Sequence, residues 1–286
     1  MKTREIVIGS RRSPLAMAQA RLVQKRLESV YPGCRVNIRE FVTQGDKKLS
    51  WSLEKTGGKG LFTSELEAAL LDGAIDVAVH SGKDLPTEIR AGTLVAGCLA
   101  RACARDVLVV RTGTEKIRTV ATGSPRRRGQ LKKLFPQADF QELRGNVESR
   151  LRKIAQEHAA DATVLAAAGL ERLGIKTFPG LEFKVLPAEI CVPAAGQALI
   201  AMQCRERDRD FFAKAAAVAG TRAFEIERAF LSALGEGCHT AFAAHYSRGV
   251  LRLFREDFGL RRLKVSFPQN PLKLKEKVKK ILEGIL

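Results

Sequence analysis

The sequence lacks any apolar run approaching the roughly 18 residues that a membrane-spanning helix requires. Residues 1–5 lead directly into the strand-like Ile6-Val7-Ile8, without the apolar core of a signal peptide. We therefore expect a cytoplasmic protein that does not act at a membrane.

Cysteine is also sparse, with six residues scattered at positions 34, 98, 103, 191, 204 and 238. That density is too low for a disulfide scaffold and is typical of reduced thiols in the cytoplasm. Cys98 and Cys103 are the nearest pair, yet no second close pair accompanies them. The spacing therefore does not indicate a structural zinc site, and we expect no metal.

Aromatic and acidic residues are the remaining shortages. The chain has one Trp and two Tyr, and its 31 acidic residues face 49 Lys and Arg, giving a formal net charge of +18. Such an excess favours an anionic partner: nucleic acid, a membrane surface or a polyanionic small molecule. Single-strand binders interleave aromatic rings with basic residues, so the shortage of aromatics argues against nucleic acid.

The most informative stretch lies around residues 75–86. A short apolar run at 75–79 predicts a buried strand, and Pro86 prevents further pairing. Between them lie the adjacent cation and carboxylate Lys83 and Asp84. In open α/β sheets ligands bind at the ends of such strands, although a solvated turn has the same composition.

The same local pattern occurs twice. Ser13-Pro14 and Ser124-Pro125 each follow a strand, each predict a helix start, and each have arginines beside them. A helix N-terminus next to arginine is a ready anion site. Two copies predict two similarly built α/β domains, and 286 residues allow two or three domains in all.

Further elements follow from composition and periodicity. Residues 64–67 predict a capping box, residues 194–204 a helix, and residues 208–219 another helix with a boundary at Gly220-Thr221. Residues 250–255 and 263–267 predict a hairpin turning at 257–259. Asn270-Pro271 predicts the start of a last helix, which makes the C-terminal region a small α+β unit.

Five motifs in this order resemble the porphobilinogen deaminase family, also called hydroxymethylbilane synthases. They are Arg11-x-Ser13-Pro14-Leu15-Ala16, Gly57-Gly58-Lys59-Gly60-Leu61-Phe62, His80-Ser81-x-Lys83-Asp84-x-Pro86, Leu143-Arg144-Gly145-Asn146-Val147 and Gly237-Cys238. The resemblance runs from residue 4 to about residue 245. Each motif alone is weak, but the combination is specific.

The resemblance implies an α/β fold class with two type II periplasmic-binding-protein-like domains flanking a cleft, plus a small α+β C-terminal domain. The implied boundaries are 1–98 plus 194–219, then 99–193, then 220–286. It also implies a monomer with a dipyrromethane cofactor, attached by a thioether to Cys238. Without the resemblance, Cys238 would be interpreted as a buried structural thiol.

The implied reaction joins four porphobilinogen molecules in steps onto that primer, releasing ammonia and hydroxymethylbilane in tetrapyrrole (haem) biosynthesis. The growing chain carries an acetate and a propionate on every ring, a ligand that many fixed arginines suit. Asp84 is the implied catalytic carboxylate, which moves protons and balances positive charge near a pyrrole nitrogen.

The resemblance assigns the remaining site residues to three groups. The expected cofactor-binding residues are Ser13, Lys83, Thr122, Ser124, Arg126, Arg127, Arg144 and Gly145. The expected substrate-binding residues are Arg11, Arg150, Arg172 and Gln197. Lys59 and Phe62 are expected in a lid loop.

Several positions depart from the family pattern. They include Gly82 in place of Met, Gly123 in place of Ser, Pro125 in place of Leu, Ala198 in place of Gly, Gln44 where Arg is common, and His239-Thr240-Ala241-Phe242 after Cys238. None removes the carboxylate, the attachment cysteine or an arginine of the site. The remaining alternative is a non-catalytic anion binder with the same two-domain cleft, which would need neither Asp84 nor Cys238.

Overall fold

The computed structural model describes residues 4–43, 63–235 and 241–285. The chain divides into two compact units. Unit 1 comprises Met1–Ala102 and Ala198–Phe224, and unit 2 comprises Cys103–Gln197 and Glu225–Leu286. Within the described ranges no helix is long and apolar enough to cross a membrane.

Unit 1 is built on a five-stranded sheet in the order β2-β1-β3-β10-β4. Its strands are β1 (Arg4–Arg11), β2 (Cys34–Phe41), β3 (Val77–Ser81), β4 (Thr93–Cys98) and β10 (Ile200–Arg205). β1 is parallel to β2 and β3, whereas β10 is antiparallel to both β3 and β4. Helices α1 (Pro14–Val30), α2 (Ser64–Leu71) and α6 (Arg209–Ala213) accompany this sheet.

Unit 2 repeats that topology with the order β7-β6-β8-β5-β9. Its strands are β5 (Asp106–Arg111), β6 (Thr119–Ala121), β7 (Asp139–Gln141), β8 (Ala162–Ala166) and β9 (Leu181–Val185). β6 is parallel to β7 and β8, and β5 is antiparallel to β8 and β9. Helices α3 (Pro125–Leu134), α4 (Val147–Ala155) and α5 (Ala167–Arg172) belong to it. The prediction of two similarly built α/β sheets is therefore confirmed.

A third, three-stranded antiparallel sheet lies in the C-terminal part of unit 2. It consists of β11 (Ala243–Ser247), β12 (Val250–Arg255) and β13 (Gly259–Lys264). Helix α7 (Val218–Ala233) precedes it and α8 (Pro271–Glu283) follows it. Phe230, Leu251 and Val278 meet in one fully buried cluster, which joins these helices to the sheet.

The helix starts predicted from Ser-Pro and Asn-Pro pairs are confirmed. Ser13 and Ser124 accept hydrogen bonds from the N–H groups of Ala16 at 3.3 Å and Arg127 at 3.4 Å. Asn270 accepts from the N–H groups that begin α8. In each case Pro at the first helical position leaves no donor unsatisfied and sets φ for the turn.

Several element predictions are wrong. Residues 200–205 form strand β10 and not the predicted helix. This strand lies between β3 and β4 and is buried on both faces, so its sequence shows no alternation of apolar and polar residues that would have indicated a strand. Gly220-Thr221, predicted as a helix boundary, lies inside α7. The second strand of the predicted hairpin is Gly259–Lys264 and not 263–267.

The predicted capping box is also wrong. Thr63, not Ser64, is the N-cap of α2, and its hydroxyl does not cap the helix. The Ser64 hydroxyl instead donates to the Glu65 carboxylate at 3.0 Å.

Candidate active site

The carboxyl ends of β1 and β3 bring polar side chains to one edge of the sheet in unit 1. Arg11 ends β1, and Ser13 follows it as the N-cap of α1. His80 and Ser81 end β3. The two strands are parallel neighbours, so these residues from distant parts of the sequence become adjacent.

A single 3₁₀ turn, Gly82–Asp84, follows β3 and presents the predicted catalytic carboxylate. The N–H of Gly82 donates to the carbonyl of Leu199 at 2.9 Å, which ties the turn to the chain that enters β10. Asp84 is exposed and Lys83 is half-buried. Asp84, Arg11 and Ser13 line a common pocket of about 70 Å³.

His80 lies in the same pocket, and no role was assigned to it from the sequence. Its side chain is 6% exposed. Burial lowers the pKa of His80 to about 4; the Gln203 side chain opposes the shift and the charge of Arg11 adds to it. The imidazole is therefore neutral at physiological pH. Among the described residues its Nε2 has no hydrogen-bond partner.

In unit 2, β6 occupies the position that β1 has in the sheet of unit 1, and two side-chain hydroxyl groups lie just beyond its carboxyl end. Buried Thr122 follows β6, and its Oγ1 accepts from the N–H of Ser124 at 3.2 Å. Ser124 in turn caps α3. A β-carbon added at Gly123 would lie in ordinary van der Waals contact with Cζ of Arg144, at 3.6 Å.

A buried carboxylate, Asp106, holds the two arginines that open α3. Its oxygens accept from Arg126 and Arg127, each at 2.8 Å, and none of the three side chains is appreciably exposed. Burial would raise the pKa of Asp106, but the two guanidinium groups more than offset this and hold it well below its usual range. Each arginine also donates to a backbone carbonyl, of Val192 and Val164 respectively.

Gln197 belongs to the same buried cluster. Its Nε2 donates to Asp106 at 3.0 Å and to the carbonyl of Ala104 at 2.7 Å. The thiol of Cys191 donates to the same carboxylate at 3.3 Å, and burial raises the pKa of Cys191 to about 11. Arg126, Arg127 and Gln197, predicted as ligand-binding residues, are thus brought together around Asp106.

Sequence reasoning missed Asp106. The available signal was a carboxylate placed directly before the apolar run 107–110, since such a group needs a cationic partner when it is buried. Which cation it meets depends on tertiary structure alone.

The segment between β7 and α4, together with the first turn of α4, carries three further predicted residues. Gly145 has φ +120°, where a β-carbon would collide with the Ser149 hydroxyl, so glycine is required. Nε of Arg150 donates to the carbonyl of Gly145 at 2.7 Å. Arg144 pairs with Glu142 at 3.1 Å through one terminal nitrogen. Asn146, not singled out from the sequence, caps α4.

Arg172 ends α5 in unit 2 and is half-buried. Burial lowers the pKa of Arg172 to about 10, and the charge of Glu171 opposes the shift. The guanidinium remains protonated at neutral pH. Cys238, Lys59 and Phe62 lie outside the described residues, so the attachment site and the lid loop stay predictions.

These residues suit a ligand with several carboxylates, such as a dipyrromethane. Within the described parts of unit 2, the buried Nε atoms of Arg127 and Arg144 have no hydrogen-bond partner. Buried donors of this kind are costly unless an acceptor reaches them. A carboxylate supplies such an acceptor, and guanidinium groups bind it with strong, charge-assisted hydrogen bonds.

The sheets and their strand-end cations define an α/β protein with two type II periplasmic-binding-protein-like domains and a small α+β C-terminal portion. The family model "Porphobilinogen deaminase, dipyromethane cofactor binding domain" matches residues 6–213. The chain belongs to the porphobilinogen deaminase family. The resemblance inferred from the motifs is therefore confirmed.

Curated relatives match most of the chain. A porphobilinogen deaminase of Listeria monocytogenes is 39% identical over 253 residues, covering 86% of this chain and 82% of the relative. A porphobilinogen deaminase of Syntrophomonas wolfei is 40% identical over 249 residues, covering 84% and 80%. One of Bacillus velezensis is 41% identical over 253 residues, covering 85% and 80%.

Solved structures match more distantly. The Bordetella pertussis BvgS periplasmic VFT2 domain is 17% identical with a TM-score of 0.41, covering 74% of this chain and 86% of that one. The periplasmic aliphatic sulphonate binding protein SsuA from Escherichia coli is 17% identical with a TM-score of 0.44, covering 81% and 75%. Likeness at this level carries no conclusion about the ligand.

Proposed function

We propose that this protein is a hydroxymethylbilane synthase, a transferase of tetrapyrrole (haem) biosynthesis. It joins four porphobilinogen molecules in steps to a dipyrromethane primer and releases ammonia and hydroxymethylbilane. Membership of the porphobilinogen deaminase family supports the reaction class. The observation that carries the proposal is the pocket of unit 1, where Asp84 lies with Arg11 and Ser13.

The dipyrromethane, when bound, supplies the free pyrrole carbon to which substrate units are joined. Cys238 holds it through a thioether, and Ser13, Lys83, Thr122, Ser124 and Arg144 bind its carboxylates. Arg126 and Arg127, which Asp106 holds in place, and Gly145 belong to the same cofactor-binding site. The buried Nε atoms of Arg127 and Arg144 are the donors that most need such an acceptor.

Asp84 handles the charge and the protons of the substrate. As the aminomethyl nitrogen of porphobilinogen leaves as ammonia, the pyrrole becomes a cationic methylene-pyrroleninium. The exposed carboxylate of Asp84 balances that charge and carries the proton that the ring loses after bond formation. Arg11 in the same pocket binds a substrate carboxylate and keeps the negative charges apart.

The remaining cations serve the incoming substrate and the growing chain. Arg150, Arg172 and Gln197 do so from unit 2, and Gln197 is positioned by its hydrogen bonds to Ala104 and Asp106. Lys59 and Phe62 form part of a lid. We also propose a cytoplasmic monomer of three domains, with boundaries at residues 98/99, 193/194 and 219/220, that binds neither nucleic acid nor membrane.

The intact mass of the protein tests the proposal. Protein made in a host that produces porphobilinogen should be heavier than its sequence by two linked pyrrole units under reducing, denaturing conditions. A thioether resists thiol reductants, which would cleave a disulfide. Peptide mapping should place the added mass on the peptide that contains Cys238.

Cysteine variants provide the controls. Cys238→Ser should lack the added mass, whereas Cys34→Ser, Cys98→Ser and Cys204→Ser should retain it. The purified wild type should also convert porphobilinogen to hydroxymethylbilane. A folded wild type that keeps its bare sequence mass after incubation with porphobilinogen would overturn the proposal and favour a non-catalytic anion binder.

A further inference from the structure

The pocket of unit 1 contains two buried polar side chains that catalysis by Asp84 does not use. Thr63 is 2% exposed and His80 is 6% exposed, and both line the pocket. Neither the Thr63 hydroxyl nor Nε2 of His80 has a hydrogen-bond partner among the described residues. A buried polar atom left without a hydrogen-bond partner is destabilising, so both atoms point to a ligand.

The backbone around the pocket also suits an anion. Ser13, Leu15 and Ala16 come from the first turn of α1, and Thr63 is the N-cap of α2. Two helix N-termini therefore reach one pocket, and the N–H groups there attract negative charge. The Thr63 hydroxyl is not consumed by capping its own helix, which leaves it available for an external acceptor.

The charged and polar lining of this pocket, whose volume is about 70 Å³, suits a carboxylate. Arg11 supplies a positive charge. The negative charge of Asp84 lies on an exposed side chain, whereas Thr63 and His80 are buried.

We propose that His80 and Thr63 bind one carboxylate side chain of the porphobilinogen-derived substrate, Thr63 through its hydroxyl and His80 through Nε2, which carries the single ring proton when the carboxylate is bound. Arg11 provides the charge for this subsite, and the two buried residues provide neutral donors of fixed position. The inference rests on the proposed function, because it takes the pyrrole carboxylates as the ligand.

A neutral imidazole serves this purpose better than a second cation. The low pKa of His80 follows from burial and the nearby Arg11. A buried imidazolium without a carboxylate partner would be costly whenever the subsite is empty. A neutral donor costs less in the empty state and still discriminates against ligands that lack an acceptor.

The kinetic test compares His80→Phe and Thr63→Val with matched controls. Thr63→Val removes one donor at nearly constant size, and His80→Phe removes both ring nitrogens, including the interaction with the Gln203 side chain. Losing a hydrogen bond to a charged group should raise the KM for porphobilinogen about tenfold or more. Because the carboxylate takes no part in the chemistry, kcat should change little. His80→Gln keeps an N–H donor and should recover most of the affinity.

The controls are His158→Gln and Thr114→Val in unit 2, where His158 is exposed and the Thr114 hydroxyl is likewise buried and unpartnered among the described residues. Both should keep the wild-type KM. An unchanged KM in His80→Phe and Thr63→Val, with wild-type turnover intact, overturns the inference but leaves the proposed function standing. A wild type without turnover contradicts the proposed function itself.

A binding experiment gives a readout independent of turnover. Sodium acetate added to ring-¹⁵N-histidine-labelled wild type should shift the His80 resonance, assigned by its loss in His80→Phe. The His158 resonance should stay in place. Methylammonium chloride at the same ionic strength should have no such effect. A His80 resonance that responds to methylammonium and not to acetate would overturn the assignment of a carboxylate.

Discussion

Asp84 and Arg11 bring opposite charges to one pocket of unit 1, and the carboxylate is the group proposed to move protons. Asp84→Asn keeps the size of the side chain and removes its basicity. We expect turnover of porphobilinogen to fall about 100-fold or more, the usual contribution of a general acid–base group. Steady-state assays of hydroxymethylbilane formation would measure the loss.

The control for this substitution is Asp72→Asn, an exposed carboxylate at the C-terminal end of α2 in the same unit. It should retain wild-type turnover. Because Asp84 is exposed and follows a short turn, Asp84→Asn should also keep the wild-type unfolding midpoint. Turnover of Asp84→Asn within a few-fold of wild type would show that another group carries the protons.

Asp106 has the opposite character, since it is buried and paired with two guanidinium groups. Asp106→Asn should destabilise unit 2 by about 3–5 kcal/mol, because Arg126 and Arg127 would keep buried charges without a counter-ion. The free energy of opening, measured by amide hydrogen exchange in β5 and β8, would report this locally. Asp139→Asn, at an exposed position of β7, should leave exchange unchanged.

The ion pairs of Asp106 with Arg126 and Arg127 also predict how the stability of unit 2 depends on pH. The pKa of Asp106 is depressed in the folded state, so its contribution is present above the unfolded value of about 3.9 and is lost as pH falls toward the folded value. The difference in opening free energy between wild type and Asp106→Asn should therefore be largest near pH 7 and shrink in acid. A difference that grew below pH 4 would contradict the assignment.

At the scale of single elements, Ala198 illustrates a local conflict between sequence and backbone. It has φ +66°, in the left-handed region, at a position where the motif comparison expects Gly. In that region a residue with a β-carbon lowers the stability of the folded state by roughly 1–2 kcal/mol. Glycine avoids this strain, but its greater conformational entropy in the unfolded chain offsets part of the gain. Ala198→Gly should raise the free energy of unfolding by up to about 1 kcal/mol, measured by urea titration.

Ala195→Gly is the matched control, because Ala195 has a negative φ and packs in the cluster that contains Phe230. It should lower the free energy of unfolding by about 1 kcal/mol. Destabilisation by both substitutions would mean that the Ala198 methyl group contributes more through packing than it costs through backbone strain.

Element prediction succeeded where the cause was local. Ser13, Ser124 and Asn270 mark helix starts because capping and the proline that follows act within one turn. It failed at 200–205, because a strand buried between two partners has no periodicity that separates it from a helix. It also failed at Ser64, where a Ser-x-x-Glu pattern lies one residue inside the real helix start.

The site was predictable only in part, for a similar reason. Arg11 and Asp84 follow from strand ends, which are visible in sequence as apolar runs that stop in polar residues. The Asp106 cluster and the orphan donors of His80 and Thr63 depend on which side chains meet after folding. No local pattern encodes those contacts.

At the scale of the whole molecule, the two units should handle the growing chain at different stages. Arg11→Leu in unit 1 and Arg150→Leu in unit 2 should both fold, yet each should stall at a different number of added pyrrole units. Native mass spectrometry with limiting porphobilinogen would display the two ladders. Arg207→Leu, whose side chain is 77% exposed, should give the wild-type ladder. Identical ladders for all three variants would contradict separate roles.

The position of β10 has a consequence for how the chain matures on the ribosome. β3 and β4 are held together by β10 between them, although more than a hundred residues separate Cys98 from Ile200. Every strand of the second five-stranded sheet leaves the exit tunnel before β10 does. The sheet whose first strands are synthesised first therefore cannot be completed until all strands of the second sheet have been made, and until then the edges of β3 and β4 that pair with β10 remain unpaired.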